Sequence, residues 1–340
     1  MGFACPVCAS LDTDEVIQRH SVEAAAEHFV PEKRFAERNA ELRRVIRRLW
    51  GGRAEVEIHR CDACGFAFPI PYVAGDVAFY NLAFGSGGYP RDRWEFDQTL
   101  DALTPIALAR SQPLKLLEAG AGVGWFLEAI RRRPALHHRV AAEAIEYDDV
   151  ALRTLTERGF AARAGSITDL VGDPEQKGRF DVICMFQTLE HMAGVTEVFQ
   201  AFRSLLRPDG HVFLSVPNGP SVEHQEKMVE LWDMPPNHVG RWSLRCFDIA
   251  AKRNGIEVVA SAVEPQWARH RDAWHYATYR LASRAYVAGT WEHRINAVRR
   301  RPVRQALKGL TSLAWMPRFW FTPRGAGHNL WVNLQRVEAE

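Results

Sequence analysis

The sequence predicts an α/β fold in which a parallel sheet carries helices on both faces. Apolar strands alternate regularly with amphipathic helices from residue 113 to 264. A glycine-dense turn, Gly120-Ala121-Gly122-Val123-Gly124, lies directly between one such strand and the next helix. Two Cys-x-x-Cys pairs fall outside that region and mark a smaller unit at residues 1–72.

The elements follow in order. Residues 21–50 read as helical, with Leu42, Val45, Ile46 and Leu49 opposite Arg43, Arg44, Arg47 and Arg48, and Gly51-Gly52 stops the helix. Residues 55–59 alternate as a strand running into the second cysteine pair. Residues 73–112 form a connector with a helix over 94–109. Then come strand 115–118, helix 124–132, strand 140–146, helix 149–158, strand 180–186, helix 195–206 and strand 210–216. Helix 243–254 and strand 256–263 complete the alternation. Residues 265–340 break the rhythm: helices rich in Trp, Arg and His are inserted before a last strand at 329–334.

Composition narrows the function. With 340 residues, 47% hydrophobic and 25% charged, the chain buries one large core. Its net charge of +2 gives no general case for a nucleic-acid or membrane partner. No apolar run approaches the roughly 20 residues of a membrane-spanning helix, and Met1 to Ser10 lacks the pattern of a secretory signal. A cytoplasmic location is the expectation. Cys5, Cys8, Cys61 and Cys64 then read as ligands of a structural tetrahedral zinc, with all four positions filled. Cys184 and Cys246 read as buried small hydrophobes.

The glycine turn needs its glycines because the backbone must bend sharply and let a ligand approach. Trp125 would crowd a pyrophosphate at the helix N-terminus, and the acidic Glu118 would repel one. Glu118 suits instead the cationic ammonium of S-adenosylmethionine, with Gly120, Ala121, Gly122 and Gly124 lining its pocket. A carboxylate at the tip of the second strand can accept both ribose hydroxyls; Glu146 is preferred, with Glu143 the competitor. Ser166 and Ile167 lie where adenine-edge contacts arise.

The run Phe180 to His191, ending Gln187-Thr188-Leu189-Glu190-His191, resembles the post-strand motif of class I methyltransferases. Leu206-Arg207-Pro208-Asp209-Gly210 with Val216-Pro217-Asn218 is similar to a second segment of the same Rossmann-like family. The paired Cys-x-x-Cys motifs resemble the zinc module on a branch that includes sugar C-methyltransferases, although the stretch between Cys8 and Cys61 is longer than is usual there. The resemblance implies an S-adenosylmethionine-dependent methyltransferase acting on a hydroxylated small metabolite or a carrier-linked sugar or glycan, by O- or C-methylation. It implies cofactor contacts at Gln187 and Tyr89. Gln187 stands where quinone-biosynthesis relatives carry an acidic, metal-binding residue, and an amide there weakens the case for a catalytic divalent ion.

Methyl transfer is an in-line displacement, so a protic nucleophile must lose its proton as it attacks. His191, Glu190 and His238 are the candidate catalytic residues; His238 lies in a segment, Asp233 to Trp242, that resembles the family's active-site closure. Tyr80, like Tyr89, lies where the resemblance places aromatics near the methionine tail of the cofactor. Two rival readings stay open: an RNA methyltransferase using the arginines at 43–48 and 299–304, and a non-catalytic cofactor-binding protein. Trp315, Phe319, Trp320 and Phe321, among Arg304, Lys308, Arg318 and Arg324, suggest either a packed aromatic helix or contact with a membrane surface.

Overall fold

A computed structural model describes residues 3–84, 89–227, 233–265, 281, 284–285, 289–320 and 327–337, with backbone alone for 224–227 and 316–320. Three strands open the chain: β1 (Glu15–Ser21), β2 (Glu55–Arg60) and β3 (Ala67–Ile70) form an antiparallel sheet in that order. The segment expected as one helix over 21–50 is two, α1 (Val22–Phe29) and α2 (Ala36–Leu49). Pro31 divides them, because the residue before a proline is pushed from helical to extended backbone; Val30 sits at φ −136°. β3 carries no alternation because both its faces are buried. Ala67 packs with the helices of this lobe, and Phe68 and Ile70 pack into the core beneath the cysteines.

Two connecting helices, α3 (Val77–Ala83) and α4 (Trp94–Leu108), lead to the central sheet. That sheet has seven strands: β4 (Leu114–Ala119), β5 (Val140–Glu146), β6 (Ala161–Ala164), β7 (Phe180–Phe186), β8 (Leu206–Pro217), β9 (Ile256–Val263) and β10 (Asn329–Arg336). Their order is β6-β5-β4-β7-β8-β10-β9. All pairings are parallel except those of β10, which runs against both β8 and β9. One core lies beneath α7 (Val195–Leu205) and α9 (Leu244–Arg253), the other beneath α4 and α5 (Trp125–Arg132). Between β5 and β6 runs α6 (Asp149–Glu157), and α8 (Gly219–Lys227) follows β8. The insertion before β10 contains α10 (Trp291–Asn296) and α11 (Arg301–Trp320).

This order positions a site. The chain winds outward from β4 to β6, then crosses back to β7, so the winding reverses between β4 and β7. Ligands of such sheets bind at that switch point, beyond the carboxyl ends of the strands. Because β10 is antiparallel, its first residue, Asn329, arrives at the same edge, opposite Pro217.

The N-terminal lobe is fused to this sheet. Cys5, Cys61, Cys64 and Phe66 share a core with Val198, Phe199, Trp242 and Phe247. From α9, Arg245 donates to the Ala63 carbonyl (2.5 Å) and Arg253 to that of Cys8 (2.8 Å). Among the described residues no helix is long and apolar enough to cross a membrane.

Candidate active site at the sheet switch point

Gly120, Gly122 and Gly124 all adopt positive φ, at 71°, 53° and 81°. Each also faces a close neighbour. A Cβ on Gly120 would stand 2.4 Å from Thr188 Oγ1, on Gly122 2.6 Å from the Tyr89 ring, and on Gly124 2.7 Å from Leu155. Thus Gly120 admits the end of β7, Gly122 lies under Tyr89, and Gly124 lets α5 pack on its neighbours. Ala121 is buried in the core, and Trp125 donates its indole N–H to the Tyr89 carbonyl (3.1 Å).

The two competing carboxylates of β5 part ways. Glu146 accepts from the amides of Gly122 (2.6 Å), Tyr147 (2.7 Å) and Asp148 (3.0 Å), which holds it against the glycine turn. Glu143 pairs with Arg163 (3.3 Å) and Arg179 on the sheet's flank. Glu118, the penultimate residue of β4, is buried, and its Oε2 has no hydrogen-bond partner among the described residues. Burial, then the facing Glu146, pushes its carboxyl well above the usual carboxylate range. An unpaired buried carboxylate oxygen beside a glycine cradle fits the ammonium group of S-adenosylmethionine.

Ser166 opens a 3-10 turn, donating its N–H to Asp169 (2.7 Å) and accepting the Thr168 hydroxyl (3.1 Å). Ile167 packs its side chain into the core, so only its backbone faces a ligand. Gln187 follows β7 at φ +50° and joins a polar chain drawn from separate elements. Its amide donates to Asn329 Oδ1 (3.3 Å) and to Ser215 Oγ (3.4 Å); that hydroxyl donates to Glu95 (3.4 Å), which pairs with Arg93 (3.3 Å). Glu95 and Thr99 are buried polar residues one turn apart on α4, a break in its apolar face that marks the position in retrospect.

The 3-10 turn Leu189–His191 places the catalytic candidates. His191 Nδ1 lies 2.8 Å from the Asn237 carbonyl and 3.0 Å from Tyr80 Oη. A carbonyl only accepts, so Nδ1 carries the proton and Nε2 is the accepting atom. Burial, reinforced by His238, pushes the pKa of His191 down to about 3, and the ring is neutral at ordinary pH. His238 differs. Its Nδ1 is 2.6 Å from Asp233 Oδ1, and although burial opposes the charge, Asp233 and then Glu190 raise its pKa above the usual value. The two imidazoles meet edge to face at 4.5 Å. Glu190 is fully buried, neither of its carboxylate oxygens has a partner among the described residues, and burial pushes its pKa up to about 7. Ligand atoms of Glu190, His191 and His238 all lie within 4.8 Å of one another, a donor set acceptable to a divalent cation.

Local geometry pins this arrangement. Val239 N–H donates to the Glu190 carbonyl (2.8 Å), and Gly75 N–H to that of Pro236 (2.8 Å). Tyr72 Oη donates to the Met192 carbonyl (3.1 Å), so the N-terminal lobe holds the turn from the other side. Thr188 stands beside Gly120 three residues before His191, which joins the glycine turn to the histidine pair.

The four cysteines converge at the far end of β3. Sγ atoms of Cys5 and Cys64 are 3.5 Å apart and those of Cys8 and Cys61 3.4 Å, with all four within 4.8 Å. Tetrahedral thiolates around zinc stand about 3.8 Å apart, given Zn–S near 2.3 Å, so the cluster fits such an ion. Cys184 is a core residue, as its surroundings suggested. Cys246 is buried too, but its Sγ also reaches the Cys64 carbonyl (3.5 Å), against the cluster. Trp315 is half-buried beneath Arg284 (5.9 Å); Phe321 and Arg324, and the side chains of Arg318, Phe319 and Trp320, lie outside the described residues.

Fold and site together define the methyltransferase class of α/β proteins. A methyltransferase-domain family profile matches residues 91–261, half of the sequence, and the chain belongs to that family. It is 34% identical over 136 residues to a ubiquinone biosynthesis O-methyltransferase of Xanthomonas axonopodis pv. citri (strain 306), across 37% of this chain and 56% of the relative. A ubiquinone biosynthesis O-methyltransferase of Marinobacter nauticus is 29% identical over 110 residues, across 31% and 44%. The chain thus spans about half the length of the curated relatives it matches. Among solved structures it is similar to the cyclopropane synthase MmaA2 of Mycobacterium tuberculosis (13% identity, TM-score 0.43, 72% of this chain and 87% of that one). It is also similar to a methyltransferase of Archaeoglobus fulgidus (12%, 0.43, 71% and 94%).

Proposed function

We propose that the protein transfers a methyl group from S-adenosylmethionine to a hydroxyl of a small metabolite, with a carrier-linked sugar or glycan first among acceptors. The observation that carries this reading is the Asp233–His238 pair beside His191, at the edge that also bears the glycine turn. A hydroxyl is a poor nucleophile until its proton leaves, and an imidazole oriented by a carboxylate is suited to take it.

The bound cofactor supplies an electrophilic methyl on a sulfonium. Everything else falls to the chain. Glu118 faces the ammonium group, the glycine turn lets the backbone approach, and Glu146 at the tip of β5 is placed for ribose hydroxyls. His238 Nε2 accepts the acceptor's proton while Asp233 holds Nδ1–H. His191, neutral and tethered to Asn237, orients the hydroxyl through Nε2. The polar chain from Arg93 to Asn329 lines the acceptor side. Cys5, Cys8, Cys61 and Cys64 would hold a zinc ion that braces the N-terminal lobe, from which the chain runs on to Tyr72 and, on α3, Tyr80.

The test is incubation with methyl-labelled S-adenosylmethionine and separate pools of nucleotide sugars, lipid-linked glycans, hydroxylated aromatics and total RNA. Label in a hydroxyl-bearing small molecule or glycan is the expected result. Label in RNA alone, or in no pool, overturns the proposal.

A further inference from the structure

The helix α11 (Arg301–Trp320) is packed inside out. Thr311 and Ser312 are buried, and Arg304 and Lys308 are half-buried, on the side that meets the protein. Val303, Leu310 and Leu313 are 45%, 64% and 54% exposed, and Ala306 is exposed with them. Their spacing, 303, 306, 310 and 313, puts all four on one helical stripe. A helix that only packed on its own domain would turn this stripe inward.

Charge identifies what covers it. No Asp or Glu occurs between Glu292 and Glu338. Glu292 is buried and paired with Arg284 (3.1 Å), so it offers no exposed negative charge. Arg294, Arg299, Arg300 and Arg301 are all exposed at the start of the stripe. Between α10 and α11 a cavity of about 480 Å³ is walled by Trp291, Leu307, Leu310, Ala314 and Trp315, with the Arg284–Glu292 pair and Thr311 on its polar side. This acid-free, cation-rich segment therefore borders both an exposed aliphatic stripe and a cavity with a largely apolar wall.

We propose that α10 and α11 form a docking surface for an anionic lipid bilayer. Leu310, Leu313 and Val303 enter the boundary between headgroups and acyl chains, while Arg294 and Arg299 to Arg301 contact lipid phosphates. A second copy of the chain fits less well: a symmetric contact would bring two arginine clusters together with no acid in the segment to offset them. Nucleic acid fits less well because the stripe is aliphatic, where single strands stack on aromatic side chains. The inference is independent of the methyl-transfer reading, since it uses no residue of that site.

The test is co-sedimentation of the full chain with vesicles of phosphatidylcholine containing about one-third phosphatidylglycerol, and with vesicles of phosphatidylcholine alone. Binding to the anionic vesicles is expected to exceed binding to neutral ones about tenfold and to fall with salt. Leu310→Glu with Leu313→Glu, and separately Arg299→Glu with Arg300→Glu, should each reduce it about tenfold while the thermal midpoint stays unchanged. Equal binding to both vesicles, or undiminished binding by either variant, overturns the proposal. A wild-type oligomer that the leucine variant dissociates, without vesicle binding, assigns the stripe to a second copy. Binding of poly(U) that the arginine variant abolishes, without vesicle binding, assigns the surface to nucleic acid.

Discussion

Asp233 Oδ1 stands 2.6 Å from His238 Nδ1, and this contact makes His238 rather than His191 the stronger base. Both rings are half-buried, yet their pKa values move in opposite directions, because only His238 has a carboxylate on Nδ1. A base works when deprotonated, so kcat should rise with pH along a limb whose midpoint lies above about 6.5. Asp233→Asn should lower kcat about a hundredfold and move that midpoint down. A pH profile of kcat checks it; an unmoved midpoint assigns the proton transfer elsewhere. For stability the sign is the reverse: a raised histidine stabilises the fold fully below its unfolded value and loses that contribution as pH rises through the folded one.

Three other histidines work against acid. Burial pushes His20 down to about 3, His28 to about 4 and His191 to about 3. Each stays neutral in the fold while the unfolded chain protonates near 6.5, so each contributes stability above about 6.5 that is lost as pH falls toward the folded value. At pH 5 the loss is about 2 kcal/mol per histidine. Glu190, pushed up to about 7, runs the other way, so a single residue makes the cleaner test. His28→Gln should therefore shrink the drop in urea-unfolding free energy between about pH 7 and about pH 5 by roughly 2 kcal/mol. An unchanged drop means that His28 is protonated in the fold.

How much of this was legible depended on whether a feature is local. The alternation from 113 to 264 and the glycine turn name their own elements, because period and turn chemistry are written in consecutive residues. Cysteine spacing likewise announced the cluster at Cys5, Cys8, Cys61 and Cys64. β3 was missed because both its faces are buried, which removes the alternation that identifies a strand. The division of α1 from α2 is written locally too, in Pro31, which turns Val30 out of the helical region. Asp233 and Asn237 were visible as residues but not as partners of His238 and His191, since the fold alone brings those pairs together. The same holds for Glu95, Ser215, Gln187 and Asn329, which meet from four separate elements.

Two glycine classes separate backbone strain from ligand approach. Gly120→Ala sets a Cβ 2.4 Å from Thr188 Oγ1, and Gly52→Ala sets one in open space, although both positions have positive φ. Gly52→Ala should cost about 1 kcal/mol of stability and leave cofactor affinity intact. Gly120→Ala should add a shift of Thr188 and weaken S-adenosylmethionine binding about tenfold or more, read by calorimetry. Equal affinities for the two variants would sink the assignment of the turn as the cofactor cradle.

The carboxylates of β5 give a matched pair. Glu146 accepts from one amide of the glycine turn, that of Gly122, and from the amides of Tyr147 and Asp148 that follow it in sequence, whereas Glu143 sits in a part-exposed pair with Arg163 and Arg179. Glu146→Ala should therefore weaken cofactor binding about tenfold or more, and Glu143→Ala should change stability by about 1 kcal/mol or less with affinity unchanged. The opposite ranking, measured by titration of S-adenosylmethionine, moves the ribose role to Glu143.

Removing metal should separate catalysis from cofactor binding. The cysteine cluster lies at the start of β3, and that strand leads to Tyr72 and Tyr80, which hold the Met192 carbonyl and His191. The glycine turn is built by β4 and β5 and does not depend on this lobe for its backbone contacts. Cys61→Ser, or treatment with a strong chelator, should thus lower the thermal midpoint and reduce kcat, while S-adenosylmethionine affinity stays within about twofold. The cluster's contribution to stability should be smaller than the roughly 10–16 kcal/mol of isolated zinc-finger peptides, because its cysteines already share a core with α7 and α9. Elemental analysis decides the metal: about one zinc per chain in the wild type and a large loss in Cys61→Ser are expected. Full zinc content in that variant would remove Cys61 from the ligand set, and with it the argument that this ion braces the wall carrying Tyr80.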